Sequence, residues 1–562
     1  MQKWIAGLLV AAAAFAQKQP ITLAALSRAG RGGGGAGAAV WLPDGSAFLR
    51  RAGASLEIYD PATRTSKPFL ALNALDIFAV PVSSEDGPVD WTNRRAGRGS
   101  GFDLSADGKE LLYTSGGDLF LIHMDAGNWE QLTRTPVAEM DARISPDGRK
   151  VAFRRGWDLY SLDVAAKRET RLTRNGTETL RNGVPDWVYP EELELGTAFW
   201  WSPDSKSLAY LQFDSSVGYP QAGENNPEVH LGVVAATGGP TRWYDVGDTR
   251  DSHLIARAGW MPSSRALYAL RFNRVQNHDE LLSIDLESGA HSTIFEESDP
   301  CWINLQGDIR FLADGQRFLW TSQRGEGGYR HIYLYSIDGK QVKQLTKGAW
   351  EVESIDGVNE GAGKLYYTSD EPSHLERHLY AIGLDGSGKK QLTKEPGTHS
   401  ISMGPTAKFY LDTWSSLTEP PRTVLASGDG ATLAVYRQPD LTESQQYQIL
   451  PTEIVKFNAP DGTLLYGRLI KPAGFAEGKK YPVVVSVYGG PGVGLPVHNS
   501  WQGIDIDQVL AHKGYIVWQC ENRGGMGRGH AFETAIYHQL GVAELADQVA
   551  GVQYLISLGI AD

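Results

Sequence analysis

The sequence predicts a β-propeller of about eight blades, followed by an α/β segment with parallel strands. Three observations predict this architecture: a strand-and-turn unit that recurs between about residues 35 and 450, a change of rhythm near residue 452, and two apolar strands beyond it that alternate with helices. With 562 residues, the chain exceeds the size at which a single core stops growing, so at least two domains are expected.

The recurring unit has a Pro/Asp-Gly turn, an alternating apolar strand, a second strand rich in Leu, Tyr and Ile, and a closing Gln-Leu-Thr. Two members are "ISPDGRKVAFRRGWDLYSLDVAAKRETRLT" and "FLADGQRFLWTSQRGEGGYRHIYLYSIDGKQVKQLT". Asp-Gly turns between strands of period two are typical of hairpins. Because units of this length cannot bury their sheets alone, the repeat predicts a propeller over residues 35–451. The alternative is a β-sandwich or an irregular array of strands, which the regular "SPDG" spacing disfavours.

Residues 452–562 follow a different pattern. The apolar runs "YPVVVSVYGG" and "GYIVWQCENRGG" lack alternation, as strands buried on both faces of a sheet do. "IDIDQVLAHKG" lies between them and "GVAELADQVAGVQYLISLGIAD" follows, both with apolar residues at helical spacing. The order strand, helix, strand, helix predicts a parallel sheet.

Composition excludes several functions. Hydrophobic residues make up 41% and charged residues 21%, as in an ordinary globular protein. The net charge of −13 argues against nucleic-acid binding, which needs a basic face. Cys301 and Cys520 form no metal-ligand spacing, and the sequence has no H-E-x-x-H, paired C-x-x-C or G-x-x-x-x-G-K-[ST] motif. We therefore expect no metal and no organic cofactor.

The N-terminus predicts export to the periplasm or the exterior. Lys3 precedes an apolar run that ends in Ala14-Phe15-Ala16, which is typical of a signal peptide over residues 1–16. About 12 apolar residues cannot span a hydrocarbon core of about 30 Å, so we expect no stable membrane span after cleavage. Residues 17–34 are predicted to form a linker segment.

The motifs of the chain resemble those of the dipeptidyl peptidase IV branch of the prolyl oligopeptidase family of serine peptidases. The most specific pieces are "DWVYPEELELGTAFWWSPDSKSLAY", "TSQRGEGGYRHIYLYSIDG", "VYGGPG" and "NRGGMGRG". The resemblance covers nearly the whole chain. It implies that an eight-bladed propeller caps an α/β-hydrolase domain, of which residues 452–562 form the N-terminal, incomplete part.

Glu191 and Glu192 are the first candidate site residues. Adjacent carboxylates repel each other, so either they lie on a solvated surface or a positive charge meets them. The resemblance implies the second answer: the pair binds the free α-ammonium of a peptide substrate. An ammonium offers three donors, and two carboxylates have acceptors to match. Such an anchor measures the chain from its N-terminus, so cleavage would follow the second residue.

The resemblance also assigns roles to Tyr488 and Trp302. Tyr488, in "SVYGGPG", aligns with a tyrosine that helps to form the oxyanion hole. Trp302 precedes "FLADGQRFLWTS" and is a weaker candidate for the pocket of the second substrate residue, with core packing as the alternative. Arg330 and His331 are expected to serve blade structure, and Arg523 loop geometry.

The sequence departs from the family in two respects. The arginine that holds the substrate carbonyl has no counterpart in "LLYTSGGDLFLIHM", and the nearby alternatives are Arg94, Arg95 and Arg98. No G-x-S-x-G elbow occurs in the sequence, so we expect the serine, aspartate and histidine of the triad beyond Asp562, and the chain to be an inactive fragment. Ser486 has no base near it in sequence and is not expected to replace the nucleophile.

The resulting hypothesis is a serine exopeptidase that releases Xaa-Pro or Xaa-Ala dipeptides from peptides with a free N-terminus. Two alternatives stay open: a tripeptidyl or acylaminoacyl peptidase on the same scaffold, and a non-catalytic propeller that binds peptides. Relatives often dimerise through the hydrolase domain, so the resemblance allows a homodimer, and the sequence leaves the oligomeric state open.

Overall fold

The computed structural model describes residues 18–32, 39–81, 101–215, 220–221, 223–305, 307, 309–492 and 496–562. The predicted signal peptide and the three candidate arginines, Arg94, Arg95 and Arg98, lie outside the described residues.

Eight antiparallel sheets, numbered here as blades 1 to 8, follow one another along the described part of the chain. Blades 1 and 2 comprise β1 Val40–Trp41, β2 Phe48–Ala52, β3 Ser55–Asp60 and β4 Thr65–Ala71, then β5 Phe102–Leu104, β6 Glu110–Ser115, β7 Asp118–His123 and β8 Trp129–Gln131. Blade 3 comprises β9 Glu139–Ile144, β10 Lys150–Arg155, β11 Asp158–Asp163 and β12 Arg168–Arg171. Blade 4 comprises β13 Leu180–Asn182, β14 Phe199–Trp201, β15 Ser207–Asp214, β16 Glu228–Ala235 and β17 Arg242–Tyr244.

Blades 5 to 8 repeat the four-stranded pattern. Blades 5 and 6 comprise β18 His253–Trp260, β19 Ala266–Asn273, β20 His278–Asp285 and β21 His291–Ser298, then β22 Arg310–Phe311, β23 Arg317–Ser322, β24 His331–Ser336 and β25 Gln341–Gln344. Blades 7 and 8 comprise β26 Val352–Asn359, β27 Lys364–Ser369, β28 His378–Gly383 and β29 Lys390–Gln391, then β30 Thr398–Met403, β31 Phe409–Ser415, β32 Arg422–Ser427 and β33 Thr432–Arg437. Strands pair in chain order in every blade except blade 4, where β13 and β14 both pair with β15. The predicted propeller of about eight blades is therefore confirmed.

Neighbouring blades share apolar clusters, which form the core of the propeller. Such clusters join blades 1 and 2, 2 and 3, 3 and 4, 4 to 6, 6 and 7, and 7 and 8. A further cluster joins blade 8 to blade 1 and includes Phe48, Tyr59, Phe409, Leu411 and Leu425. The Trp41 indole N–H also donates to Ser402 Oγ at 3.1 Å across this contact. The first and last blades thus close the ring.

The closing Leu-Thr of the repeat has a structural role that four blades share. Each threonine hydroxyl follows the fourth strand and accepts a hydrogen bond of 2.9 to 3.0 Å from a backbone N–H of the third strand. The threonine and N–H pairs are Thr133 with Leu119, Thr173 with Leu159, Thr346 with Ile332, and Thr393 with Leu379. The preceding leucine donates its own N–H to the carbonyl of the same third-strand residue. The dipeptide therefore holds the outermost strand on the blade.

The segment from 452 to 562, called here the hydrolase segment, contains a mixed sheet. Its strands are β34 Thr452–Asn458, β35 Leu464–Ile470, β36 Val483–Val485 and β37 Ile516–Cys520, in the spatial order β34-β35-β37-β36. The two predicted apolar strands, β36 and β37, pair in parallel, while β34, β35 and β37 pair antiparallel. The indole of Trp518 lies so close to Gly467 that a Cβ there would come within 1.9 Å of it.

Seven short or medium helices occur in the described residues: α1 Leu23–Gly32, α2 Asn73–Asp76, α3 Val188–Leu193, α4 Thr442–Gln446, α5 Ile506–His512, α6 His530–Glu533 and α7 Ala543–Ser557. The two helices predicted in the hydrolase segment correspond to α5 and α7. None of the helices in the described residues is long and apolar enough to cross a membrane.

Residues 17–34, predicted as a linker, contain helix α1. Ile21 and Ala25 of this stretch are buried in one apolar cluster with Tyr447 and Val509. Gln19 also forms an isolated parallel bridge with Tyr447. The start of the described chain therefore packs against α5 of the hydrolase segment.

We expect the substitution Thr393→Val to destabilise the propeller by about 1–3 kcal/mol, because the buried N–H of Leu379 loses its acceptor while the side-chain volume is kept. The urea midpoint followed by tryptophan fluorescence measures the loss. Thr393→Ser retains the hydroxyl and is the control. A valine variant as stable as the wild type would contradict this role of the repeat.

Candidate functional site

Helix α3, which carries Glu191 and Glu192, is inserted between β13 and β14 of blade 4. Its first turn is held by the buried carboxylate of Asp186, which accepts the Tyr189 N–H at 3.1 Å. The helix ends where Glu194 adopts a left-handed conformation, with φ of 54°. Burial raises the pKa of Asp186 to about 6.

Tyr189 fastens the beginning of α3 to the core. Its side chain is fully buried and packs edge-on against Phe213, with ring centroids 4.9 Å apart. Its hydroxyl accepts the backbone N–H of Ile255, on β18 of blade 5, at 3.4 Å. The helix therefore rests on two blades.

The two glutamates lie away from this buried face. Tyr189 and Leu193, four residues apart on the helix, are buried, whereas Glu191 is half-buried and Glu192 is exposed. Residues at positions i and i+4 share one helix face, so the positions between them face elsewhere. The glutamates thus lie on the solvent-accessible side of α3, and the buried side chains of Tyr189 and Leu193 hold the opposite side in the core.

Trp302 follows β21 of blade 5 and lies where the propeller meets the hydrolase segment. Its indole N–H donates to Asn304 Oδ1 at 3.1 Å. Its ring contacts His530 and Tyr537, each with centroids 5.8 Å away. The structure therefore places Trp302 on the blade that also anchors α3, and against the hydrolase segment.

A buried carboxylate of the hydrolase segment organises this contact. Glu533 accepts the amide of Asn304 at 2.6 Å and that of Gln323 at 3.2 Å, both from the propeller. His530 Nδ1 lies 3.2 Å from Glu533, and His530 Nε2 lies 3.1 Å from Asp299. Burial lowers the pKa of His530, but the hydrogen bonds to the two carboxylates outweigh it, so the pKa is raised above its usual value.

Glu351, at the start of blade 7, makes a second polar contact across the same boundary. Its Oε1 accepts the Gly529 N–H at 3.0 Å, and its Oε2 lies 3.9 Å from the Arg330 guanidinium. Burial raises the pKa of Glu351 to about 7, which the charge of Arg330 only partly offsets. Arg330 therefore lies beside the carboxylate that makes this contact.

His331 and Arg523 have structural neighbours. His331 is buried with Nδ1 3.1 Å from Thr346 Oγ1 and Nε2 3.0 Å from the Gly348 carbonyl. Arg523 binds Asp547 through Nε at 3.0 Å and Nη2 at 2.7 Å. These contacts agree with the structural roles expected for both residues.

Tyr488 follows β36 at the carboxyl ends of the two parallel strands. Its side chain is 77% exposed and borders a cavity of about 290 Å³. The cavity is also lined by Ser486, Gln519, Cys520 and Asn522. Such an edge is where α/β sheets commonly bind ligands.

Ser486 and Cys520 carry the hydroxyl and the thiol that line this cavity. The Ser486 N–H takes part in the strand ladder by donating to the Trp518 carbonyl at 2.8 Å. Burial raises the pKa of the Cys520 thiol to about 12, so it stays protonated at neutral pH. The cavity beside Tyr488 therefore holds an exposed phenol without an activated thiol.

Comparison with known proteins links the chain to one family. The model described as the dipeptidyl peptidase IV (DPP IV) N-terminal region matches residues 105–218 and 216–421. The model described as the prolyl oligopeptidase family matches residues 504–562.

Curated relatives carry the same name at moderate identity. The dipeptidyl peptidase 4 of Trichophyton tonsurans is 27% identical over 433 residues, which cover 70% of this chain and 55% of the relative. A probable dipeptidyl peptidase 4 of Emericella nidulans is 28% identical over 438 residues, covering 70% and 56%. The chain thus spans about half the length of the curated relatives it matches.

Two solved structures share the fold. The dipeptidyl peptidase 4 of Porphyromonas gingivalis aligns with a TM-score of 0.83 at 23% identity, covering 97% of this chain and 80% of that one. A "putative dipeptidyl aminopeptidase IV" from Bacteroides ovatus aligns with a TM-score of 0.77 at 26% identity, covering 93% of this chain and 77% of that one.

We expect the stability of the wild type to fall, relative to Glu351→Gln, as the pH rises from 4.5 through about 7. The folded carboxyl ionises near pH 7 and the unfolded one near 4.5, so burial of the neutral form stabilises the fold only at low pH. The difference corresponds to roughly 3 kcal/mol. Urea midpoints at several pH values measure it.

The control is Glu353→Gln, which alters an exposed glutamate two residues further along the chain, on β26. If the urea midpoints of the wild type and of Glu351→Gln change in the same way with pH, folding does not raise the pKa of the Glu351 carboxyl, and the prediction is wrong.

Proposed function

Because the chain belongs to the dipeptidyl peptidase IV branch of the prolyl oligopeptidase family, we propose that it provides the substrate-binding propeller and part of the peptidase domain of an exported serine exopeptidase. The protein would release dipeptides, Xaa-Pro or Xaa-Ala, from the free N-termini of peptides. The observation that carries this proposal is the pair Glu191 and Glu192, solvent-accessible on a helix whose other face is anchored in the core.

Recognition of the N-terminus follows from the chemistry of the pair. A peptide α-ammonium is a cation with three N–H donors, and each carboxylate offers acceptors with a full opposite charge. Charge-assisted hydrogen bonds contribute about 1.5–3 kcal/mol each, more than neutral ones. An acetylated N-terminus has no charge and fewer donors, so the same site would discriminate against it. This discrimination separates dipeptide release from the acylaminoacyl alternative.

The distance from the anchor sets the cleaved bond. With the ammonium held at α3, the first side chain extends from the anchor and the second residue presents its carbonyl to the reacting group. Trp302 would border the pocket of the second side chain, and its contacts with Asn304 and His530 hold its indole ring at the boundary with the hydrolase segment.

Acyl transfer would proceed at the carboxyl ends of the parallel strands. A serine hydroxyl, deprotonated by a histidine, would attack the carbonyl carbon of the second residue, and the C–N bond would break as the histidine returns the proton to the leaving amine. Water, deprotonated by the same histidine, would then hydrolyse the acyl-serine ester, release the dipeptide and return the proton to the serine oxygen. The exposed Tyr488 hydroxyl would donate to the oxyanion, a contribution typically worth roughly 2.7–4 kcal/mol of barrier. We assign the nucleophile, acid and base to no residue of this sequence, which contains no G-x-S-x-G.

A second candidate function is peptide binding without hydrolysis. The solvent-accessible pair Glu191 and Glu192 supports binding as well as it supports the peptidase. It needs the same anchor at Glu191 and Glu192 and differs only in lacking the chemical step. The exposed Tyr488 at a cavity edge favours the peptidase.

We expect the double substitution Glu191→Gln and Glu192→Gln to weaken binding of a pentapeptide that begins Ala-Pro by about 10- to 100-fold, because the charge-assisted hydrogen bonds are lost. Isothermal titration calorimetry measures the affinity. Binding by the wild type should also weaken above about pH 8, where the α-ammonium loses its proton.

The matched control is Glu194→Gln, which alters the exposed glutamate at the end of the same helix. The acetylated pentapeptide is the control ligand. If the wild type binds both pentapeptides equally, or if the double variant keeps its affinity for the free one, the ammonium anchor is wrong.

The catalytic part of the proposal is tested by sequencing the coding DNA past the codon for Asp562. An open frame that reaches a G-x-S-x-G elbow, then an aspartate and a histidine, is expected for the peptidase. In the encoded protein, Tyr488→Phe should lower kcat for release of Ala-Pro by about 10²–10³ with little change in KM. A stop codon would favour the binding function instead.

A further inference from the structure

Arg257 is a buried cation that contacts the last residue of α3, the helix that carries the two glutamates. It lies on β18 of blade 5 and is only 8% exposed. Its Nη1 donates to the carbonyl of Leu193 at 2.6 Å and to the carbonyl of Ala256 at 2.8 Å. Leu193 is the residue that follows Glu192. Burying a charge costs free energy, and the hydrogen bonds to these two carbonyls offset part of that cost.

The bond to Leu193 fills a need created by the end of α3. The last carbonyls of a helix have no partner within it, and this helix stops at Leu193 before the left-handed Glu194. A guanidinium that donates to the final carbonyl satisfies this acceptor inside the protein. It also places positive charge at the helix end, where the backbone dipoles favour it.

The strand beneath α3 is shaped to make both contacts. The register of β18 against β19 shifts between Ile255 and Arg257. Such irregularities bend a strand and redirect its side chains. On one side of the shift, the Ile255 N–H bonds Tyr189 at the beginning of α3, and on the other side Arg257 bonds Leu193 at its end. Blade 5 therefore holds the helix at both termini.

We propose that Arg257 is a positioning residue for recognition of the peptide N-terminus: it fixes the end of α3 and so keeps Glu191 and Glu192 in one arrangement. This inference rests on the proposed function of the pair. A six-residue helix is not stable by itself, so the position of α3 depends on the contacts that hold its two ends. A site ordered before binding loses less conformational entropy when the ligand arrives.

The test compares Arg257→Met with Arg271→Met in the full chain. Arg271 is a matched control, since it lies on β19 of the same blade, is half-buried, and donates to a backbone carbonyl, that of Val246, and to Glu280. The readout is the ratio of Kd values for the acetylated and the free Ala-Pro pentapeptide. A loss of stability alone would not change this ratio in the fraction that is folded.

We expect Arg257→Met to weaken binding of the free pentapeptide by about 10-fold, to leave the acetylated one unchanged, and so to lower the ratio. Arg271→Met should keep the wild-type ratio. If Arg257→Met does not fold, Arg257→Lys replaces it, because lysine keeps the charge without the planar fork and should give an intermediate ratio.

A wild-type ratio in the folded Arg257 variant would overturn the positioning role while the proposed anchor at Glu191 and Glu192 stands. A ratio of one in the wild-type protein would instead overturn the anchor itself, and the role of Arg257 with it. The two failures are therefore distinguishable in one set of titrations.

Discussion

The architecture depends on the burial of blade faces against one another. A four-stranded sheet has two apolar faces that it cannot bury alone, and every blade meets this constraint by sharing a cluster with its neighbours. The cluster between blades 8 and 1 removes the last exposed face and closes the ring. Because the ring is closed, each blade has a fixed position, and so does any segment inserted into a blade. Helix α3 and Trp302 are held in place for this reason.

The candidate site uses the rigidity of the ring to support a segment that has little stability of its own. Helix α3 is too short to persist in isolation, and two neighbouring carboxylates work against it. The contacts with blade 5 compensate: a buried tyrosine at one end and a buried arginine at the other. Between these two anchored ends, Glu191 and Glu192 lie on the solvent-accessible side of the helix. A short helix on a rigid support combines an accessible charge with a defined position.

The boundary between the propeller and the hydrolase segment contains two buried carboxylates. Glu351 and Glu533 are buried there, and each accepts hydrogen bonds from the other side of the boundary. Buried carboxylates cost free energy unless their oxygens are satisfied, and these bonds reduce that cost. Since Trp302 packs on His530 within the same network, the polar contact and the aromatic side chain share one environment. A change in how the hydrolase segment packs on the propeller would therefore also move the side chains around Trp302.

The sequence by itself determined the features that depend on neighbouring residues: the hairpin turns, the repeat and hence the blades, the parallel pair β36 and β37, and the glutamate pair recognised through its flanking motif. Only the tertiary structure decided what surrounds them. Tyr189 and Ile255 are 66 residues apart, and Asn304 and Glu533 are 229 apart. Periodicity and turn chemistry report on residues a few positions apart, whereas a contact between distant segments leaves no repeating signal. The threonine of the repeat was visible as a pattern, but its hydrogen bond became evident only once the strands were paired. Arg257 shows the limit most clearly: in sequence it is one arginine among many, and its role arises from the carbonyl that the folded chain places above it.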